Sequence, residues 1–266
     1  MDLVMDPRSS APVIGLLLVS CVPSGSATPQ DSGASTPAES RPAMVPRTAA
    51  VAAAADLLRT SFEDTFDRSP ALPAADSAGA AGDPGPDWIA TGTNVWRIER
   101  GRLCGERAHN HGIWLKRTLP INARIEFDAV SDALDGDLKA EYWGDGRSFA
   151  TALSYTNATS YLTIFGGWHN KFHVLARLNE HGSDRKEINV DPNSDDPREK
   201  PVVAGQVYRF KVERADGKTI RWWVDGNEML SYADSAPLTG PGHDHFGFND
   251  WEVKVCFDNV RIVPLP

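Results

Sequence analysis

Between Val207 and Leu230 the chain alternates apolar and polar residues across three short runs. The runs are Val207-Tyr208-Arg209-Phe210-Lys211-Val212-Glu213, Thr219-Ile220-Arg221-Trp222-Trp223-Val224 and Glu228-Met229-Leu230, and Asp216-Gly217 and Asp225-Gly226 stand between them. Period-two alternation specifies strands with one face on a core, and Asp-Gly favours the positive φ of a primed hairpin turn. A three-stranded antiparallel meander is therefore expected. Further short runs rich in Val, Ile, Phe, Tyr and Trp predict strands near Val95–Ile98, Leu103–Glu106, Gly112–Lys116, Ala123–Val130 and Asp137–Trp143. More are predicted near Ser148–Tyr155, Tyr161–Phe165, Lys171–Leu178, His245–Phe248 and Val253–Ile262. After Phe62 no stretch carries a helical stripe of useful length. So many short strands imply an all-β fold, two packed antiparallel sheets forming a sandwich or jelly roll.

Aromatic residues bound the domain. The 10 Phe, 8 Trp and 5 Tyr all lie at or after Phe62, so residues 62–266 are expected to fold as one domain. Upstream, Val13-Ile14-Gly15-Leu16-Leu17-Leu18-Val19 is too short for a transmembrane helix and has the length of a signal-peptide apolar core. Leu18-Val19-Ser20-Cys21 resembles a bacterial lipobox, although Asp2 and Asp6 stand beside Arg8 where positive charge is the rule. Residues 1–20 are thus expected to be a lipoprotein signal peptide, with Cys21 lipidated. Residues 21–61, rich in Ser, Thr, Pro and Ala, are expected to be a flexible tether. The expected location is outside the cytoplasm, on a bacterial membrane, periplasmic or at the cell surface, and the membrane is met only through the lipid.

The net charge of −9 makes nucleic acid a poor partner. Sorting strands by alternation places Ile125, Phe127, Ala129, Leu138, Ala140, Tyr142, Phe172, Val174 and Ala176 inward. Arg124, Glu126, Asp128, Lys139, Glu141, Trp143, His173, Arg177 and Trp223 then lie on opposite faces. Carboxylates, Arg, His and Trp together suit carbohydrate, since Trp offers an apolar plate to sugar C–H groups and charged side chains bond hydroxyls. The alternative is an ordinary solvated sheet face. Among carboxylates that could serve glycoside chemistry, Glu141, Asp145 and Glu180 stand out, Glu141 first because Trp143 shares its expected face and Asp145 follows on the adjoining loop. Gly166-Gly167-Trp168-His169-Asn170 reads as a rim loop displaying an aromatic beside two hydrogen-bonding groups.

Zinc is not expected: His243-Asp244-His245 and His109-Asn110-His111 each supply two ligands of the three or four required. The acidic runs Asp132–Asp137 and Asp191–Asp196 offer oxygens for a structural calcium, and no cofactor is required. Cys104 and Cys256 either pair or remain free thiols.

Several segments carry a family likeness. Phe62-Glu63-Asp64-Thr65-Phe66-Asp67, Asp87-Trp88, Trp96-Arg97-Ile98-Glu99-Arg100-Gly101-Arg102-Leu103, Val224-Asp225-Gly226 and Phe257-Asp258-Asn259-Val260-Arg261-Ile262 resemble concanavalin A-like lectin/glucanase domains. Within that superfamily the likeness is to the bacterial 3-keto-disaccharide hydrolase domain, frequent in exported lipoproteins. The resemblance implies a concanavalin A-like sandwich and hydrolysis of a glycosidic bond, with Glu141 as acid or base and His173 and Arg177 assisting. The substrate is expected to contact Glu126, Asp128, Trp143, Asp145, Trp168, His169, Asn170 and Trp223. In a 3-keto sugar the ketone acidifies the neighbouring C–H, so elimination with one base would suffice. Glu126-Phe127-Asp128 lacks the third carboxylate of the glucanase strand, and that mechanism is not carried over. The alternatives are a non-catalytic module with Trp143, Trp168 and Trp223 as platforms, and a protein-contact domain, which burial of those Trp residues would favour. A monomer is expected.

Overall fold

The computed structural model describes residues 56–68 and 83–266; the expected signal peptide, Cys21 and most of the tether lie outside them. Fifteen strands follow one another: β1 (Phe62–Asp64), β2 (Trp88–Ala90), β3 (Trp96–Glu99), β4 (Arg102–Gly105), β5 (Ile113–Leu115), β6 (Ala123–Ser131), β7 (Leu138–Gly144), β8 (Tyr161–Gly166), β9 (Phe172–Arg177), β10 (Lys186–Asn189), β11 (Val207–Arg214), β12 (Thr219–Val224), β13 (Asn227–Ala233), β14 (His245–Asn249) and β15 (Val255–Pro264). One sheet runs β13-β12-β11-β6-β15-β4-β3, with β1 also on β15; the other runs β10-β9-β8-β7-β14-β5-β2. Every strand pairing is antiparallel. The sandwich read from the alternation is the architecture found.

Aromatic side chains from both sheets interleave in the core. Phe127 stacks on Phe210 at 4.9 Å, Phe248 on Phe257 at 3.9 Å, and Trp88 on Phe248 at 5.7 Å. The meander forms as expected, with its two turns built differently. Asp225 (φ 49°) and Gly226 (φ 83°) both adopt the left-handed geometry of a primed turn. At the first turn only Gly217 does so, because the Asp216 carboxylate accepts from the N–H groups of Lys218 and Thr219 and organises a longer loop.

Three expectations are corrected. Ser148–Tyr155 is a covering loop with no strand, while β1, β2 and β10 are additional short strands. The sandwich also takes in the end of the expected tether, since Leu57 bridges to Thr118 and Leu58 is buried. The inward and outward faces of β9 are exchanged. Leu175 joins the main core, whereas Val174 and Ala176 lie with Leu162 and Ile164 in a second cluster that Ala150, Tyr155 and Ala158 complete. With apolar contacts on both faces, alternation along β9 carries no direction.

The covalent tie is Cys104–Cys256. These residues are directly opposed on β4 and β15, with Cα atoms 4.1 Å apart, and they form a disulfide.

Candidate functional site

The expected site residues do not converge. Glu126 and Asp128 lie on β6 and Trp223 on β12, in the opposite sheet from Glu141. Glu126 lies 3.5 Å from Arg261, and Asp128 accepts from Asn259. Trp223 is only 9 % exposed, held between Lys211 and Arg221 at 3.7 and 4.7 Å from its ring centre. Its ring faces are already covered by cations.

Trp143 is 1 % exposed and belongs to the main core. A β-bulge explains this: Tyr142 pairs with Phe246 and Gly144 with His245, so Trp143 is the extra residue and takes φ 52°. Its indole N–H donates to the Pro120 carbonyl and the Arg214 guanidinium stacks on its ring at 3.9 Å. The bulge turns inward a side chain that strict alternation sends outward.

His173 is 0 % exposed, stacked on Phe165 at 4.2 Å. Its Nδ1 accepts from the Gly166 N–H, which leaves Nε2 to donate to the Lys200 carbonyl. Burial drives its pKa down to about 4, so the ring is neutral at physiological pH. Arg177 donates to Asp234 and to the Ala236 carbonyl. Asp145 caps its own loop through the N–H groups of Arg147 and Ser148. All three are engaged by partners within the protein, and none lines the cavity described below.

Glu141 does face outward from β7, yet it is 0 % exposed. Its carboxyl accepts from Tyr155 Oη (3.1 Å), Ser160 Oγ (2.6 Å) and Asn249 Nδ2 (2.6 Å). Burial outweighs these donors and raises its pKa to about 7. It is sealed under the covering loop.

A cavity of about 300 Å³ opens beside it, with Asp137, Lys139 and Glu180 among its polar lining and Trp168 and Trp251 among its aromatic lining. The Lys139 ammonium donates to Asn110 Oδ1 at 2.8 Å and Glu180 Oε2 at 3.0 Å. Burial opposes its charge, but Asp137, Glu180 and Asp250 outweigh it and hold the pKa above the ordinary lysine value. Burial also works on Glu180 from the other direction, and Lys139 and the Tyr155 N–H overcome it, keeping this carboxylate ionised. Asp137 is raised, chiefly by desolvation and with Glu180 as a repelling neighbour. Asp250 is raised to about 7 by burial, against the Ala108 N–H that donates to it. Two neighbouring carboxyls are thus pushed in opposite directions, the pattern that separates an acid from a base.

The rim loop lies where the sequence places it. Gly166, Trp168, His169 and Asn170 all have positive φ, between 54° and 75°. A left-handed run of side-chain-bearing residues costs roughly 1–2 kcal/mol each and persists only where surroundings enforce it. Asn170 supplies the enforcement. Its amide donates to the Leu134 and Val202 carbonyls and its oxygen accepts from the Val202 N–H. A Cβ at Gly136 would lie 2.5 Å from the Gly166 carbonyl, so the two loops touch through backbone. Trp168 and His169 line the cavity as a result, while Asn170 is a clamp. The Arg185 guanidinium lies 4.9 Å over the Trp168 ring, and His169 lies 3.3 Å from Asp135.

Asn110, Asp137, Lys139, His181 and Trp251 were not expected at the site. Alternation already puts Lys139 on the face of Glu141; His109-Asn110-His111 and the Asp132–Asp137 run carried the other advance signals, and those pointed to metal. Among the described residues no group of three His, Cys, Asp or Glu side chains is arranged for a metal ion. In the acidic runs Asp132 faces Lys254, Asp135 faces His169, Asp191 caps Asn193 and Asp196 pairs with Arg198.

No protein-family model matches the chain, and comparison with curated sequences finds no relative. Similar solved structures include the carbohydrate-binding module CBM66 from Bacillus subtilis, at 17 % identity and TM-score 0.49 over 66 % of this chain and 94 % of that one. A Bacillus licheniformis β-glucanase is 12 % identical, with TM-score 0.49 over 77 % and 98 %. A Bacillus subtilis protein of unknown function with a galectin-like fold is 15 % identical, with TM-score 0.46 over 66 % and 89 %. At such identities the likeness concerns the course of the chain, and function has to be argued from this chain's own side chains.

Proposed function

We propose that this domain binds carbohydrate in the cavity between Trp168 and Trp251. The observation that carries the reading is the pairing of those indoles with a hydrogen-bonding floor of Asn110, Lys139, Glu180 and Asp137. Aromatic plates and convergent polar groups are what a pyranose, apolar on its faces and hydroxylated around its edge, requires. At about 300 Å³ the cavity is at the small end for ligand sites and suits a sugar unit or a chain terminus more than a long glycan. The burial of Trp143 and Trp223 removes them as platforms and shifts the support for this reading to the cavity.

A second reading, cleavage of the bound glycoside, is favoured by one observation: Asp137 is raised and the neighbouring Glu180 is lowered. For a 3-keto-disaccharide, the class suggested by the sequence resemblance, one base removes the C2 proton beside the ketone, the C–H electron pair becomes the C1–C2 double bond, and the glycosidic oxygen leaves as an alcohol with the proton the base returns. Asp137 is the cavity carboxyl that suits the role, since Glu180 is occupied by Lys139 and the Tyr155 N–H.

The test is calorimetric titration of the protein with a panel of mono- and disaccharides including 3-keto forms, with mass spectrometry of the products. Saturable binding lost in Trp168→Ala supports the reading, and product formation lost in Asp137→Asn adds catalysis to it. No binding to any sugar would leave a protein-contact domain as the better description.

We further place the domain outside the cytoplasm, held on a membrane through a lipid on Cys21. The Cys104–Cys256 disulfide supports an oxidising compartment. Membrane fractionation of Cys21→Ser tests the anchor, and unchanged membrane retention would refute it.

A further inference from the structure

We propose that the cavity selects a sugar carrying a free amine, an unacetylated hexosamine unit, over its neutral and N-acetylated counterparts; this rests on the carbohydrate reading above. The argument begins with the balance of charge around the cavity. Asp135, Asp137, Glu180 and Glu252 line it, against a single permanent cation, Lys139. That ammonium is already committed to Glu180 and Asn110. His169 and His181, the other basic groups present, lie against Asp135 and Glu180. Among the described residues, Asp137 and Glu252 have no ion-pair partner.

A separate observation points the same way. Asp250, 0 % exposed, adds a further carboxyl to the group around Lys139, and its Oδ1 has no hydrogen-bond partner among the described residues. The group therefore holds more carboxyls than its one ammonium can balance. Asp137 and Asp250 are both raised, first by burial and then by neighbouring carboxylates, Glu180 for Asp137 and Asp137 for Asp250. An ammonium on the ligand would meet that excess through the carboxylates that line the cavity. The Trp251 indole adds to the preference, because an aromatic face attracts a cation as well as a sugar's C–H surface, whereas the Trp168 ring already meets Arg185. A carboxylated sugar would be repelled by the same floor.

The experiment compares a β-1,4-linked glucosamine disaccharide, its N-acetylated form and cellobiose by calorimetric titration at neutral pH, with calcium chloride alone as a further arm. The free amine should bind about tenfold or more tightly than either neutral disaccharide, the scale of one charge-assisted hydrogen bond. Glu252→Gln, at an exposed position, should shrink that ratio severalfold while cellobiose binding changes little, and Asp137→Asn should shrink it while weakening cellobiose as well. The glutamine variant keeps the test decisive if the half-buried Asp137→Asn substitution unfolds the chain. Equal binding of amine and neutral sugars, or preference for the N-acetylated form, overturns the inference and leaves the carbohydrate reading standing. Failure of every sugar overturns both, and saturation by calcium alone would make the cavity a cation site instead.

Discussion

Trp143 and Trp168 are the same side chain in opposite situations. The first is sealed in the core beneath Arg214, and the second stands at the cavity between Arg185 and Phe172. Trp143→Ala should therefore cost about 3–5 kcal/mol in denaturant unfolding, the range for truncating a buried aromatic. Trp168→Ala should cost less than about 1.5 kcal/mol and act on ligand binding instead. Glu141 poses a different question, because its carboxyl titrates near about 7 in the folded protein against 4.5 for a free glutamate. A raised carboxyl contributes its stability fully below the unfolded value and loses it as pH climbs through the folded one. Thermal unfolding followed from pH 4 to pH 8 should thus show a decline that is shallower in Glu141→Gln, with Asp250 supplying part of what remains. Identical pH profiles for the two proteins would mean that Glu141 is ionised in the fold. The sequence drew attention to Glu141, and its outward face on β7 was legible from alternation. That a loop from Gly146 to Ser160 would cover it was not, since Ser148–Tyr155 alternates as a strand does.

At the scale of elements, two irregularities decide what the regular strands present. The bulge opposite His245 and Phe246 reverses Trp143, and the left-handed turn between β8 and β9 carries Trp168 and His169 to the cavity. The turn was foreseeable from Gly166-Gly167 followed by Trp-His-Asn, since paired glycines mark a chain reversal. Its rigidity was not, because the clamp reaches Leu134 and Val202, both distant in sequence. Asn170→Ala removes three hydrogen bonds at once and should lower stability by about 1–3 kcal/mol. It should also weaken sugar binding without touching the ligand. A variant that lost stability while binding stayed unchanged would show that the rim holds its shape unaided.

For the whole molecule, the Cys104–Cys256 bridge joins positions 152 residues apart and closes most of the domain into one loop. Replacing both cysteines with serine should lower unfolding free energy by about 2–5 kcal/mol, read as a drop in calorimetric Tm that reducing agent reproduces in the parent protein. Absence of any drop would mean that the sheets alone set the stability. The sequence by itself determined the all-β class, the meander, most strand positions and the aromatic core. These follow from alternation and turn chemistry, which act between neighbours along the chain. Tertiary structure alone decided which charged groups share a cavity, because Asn110, Lys139, Glu180 and Trp251 come from separate segments that only the sheet order brings together. It also decided which outward faces stay wet, since a loop laid over a sheet changes the surroundings of a side chain without changing its place in the pattern.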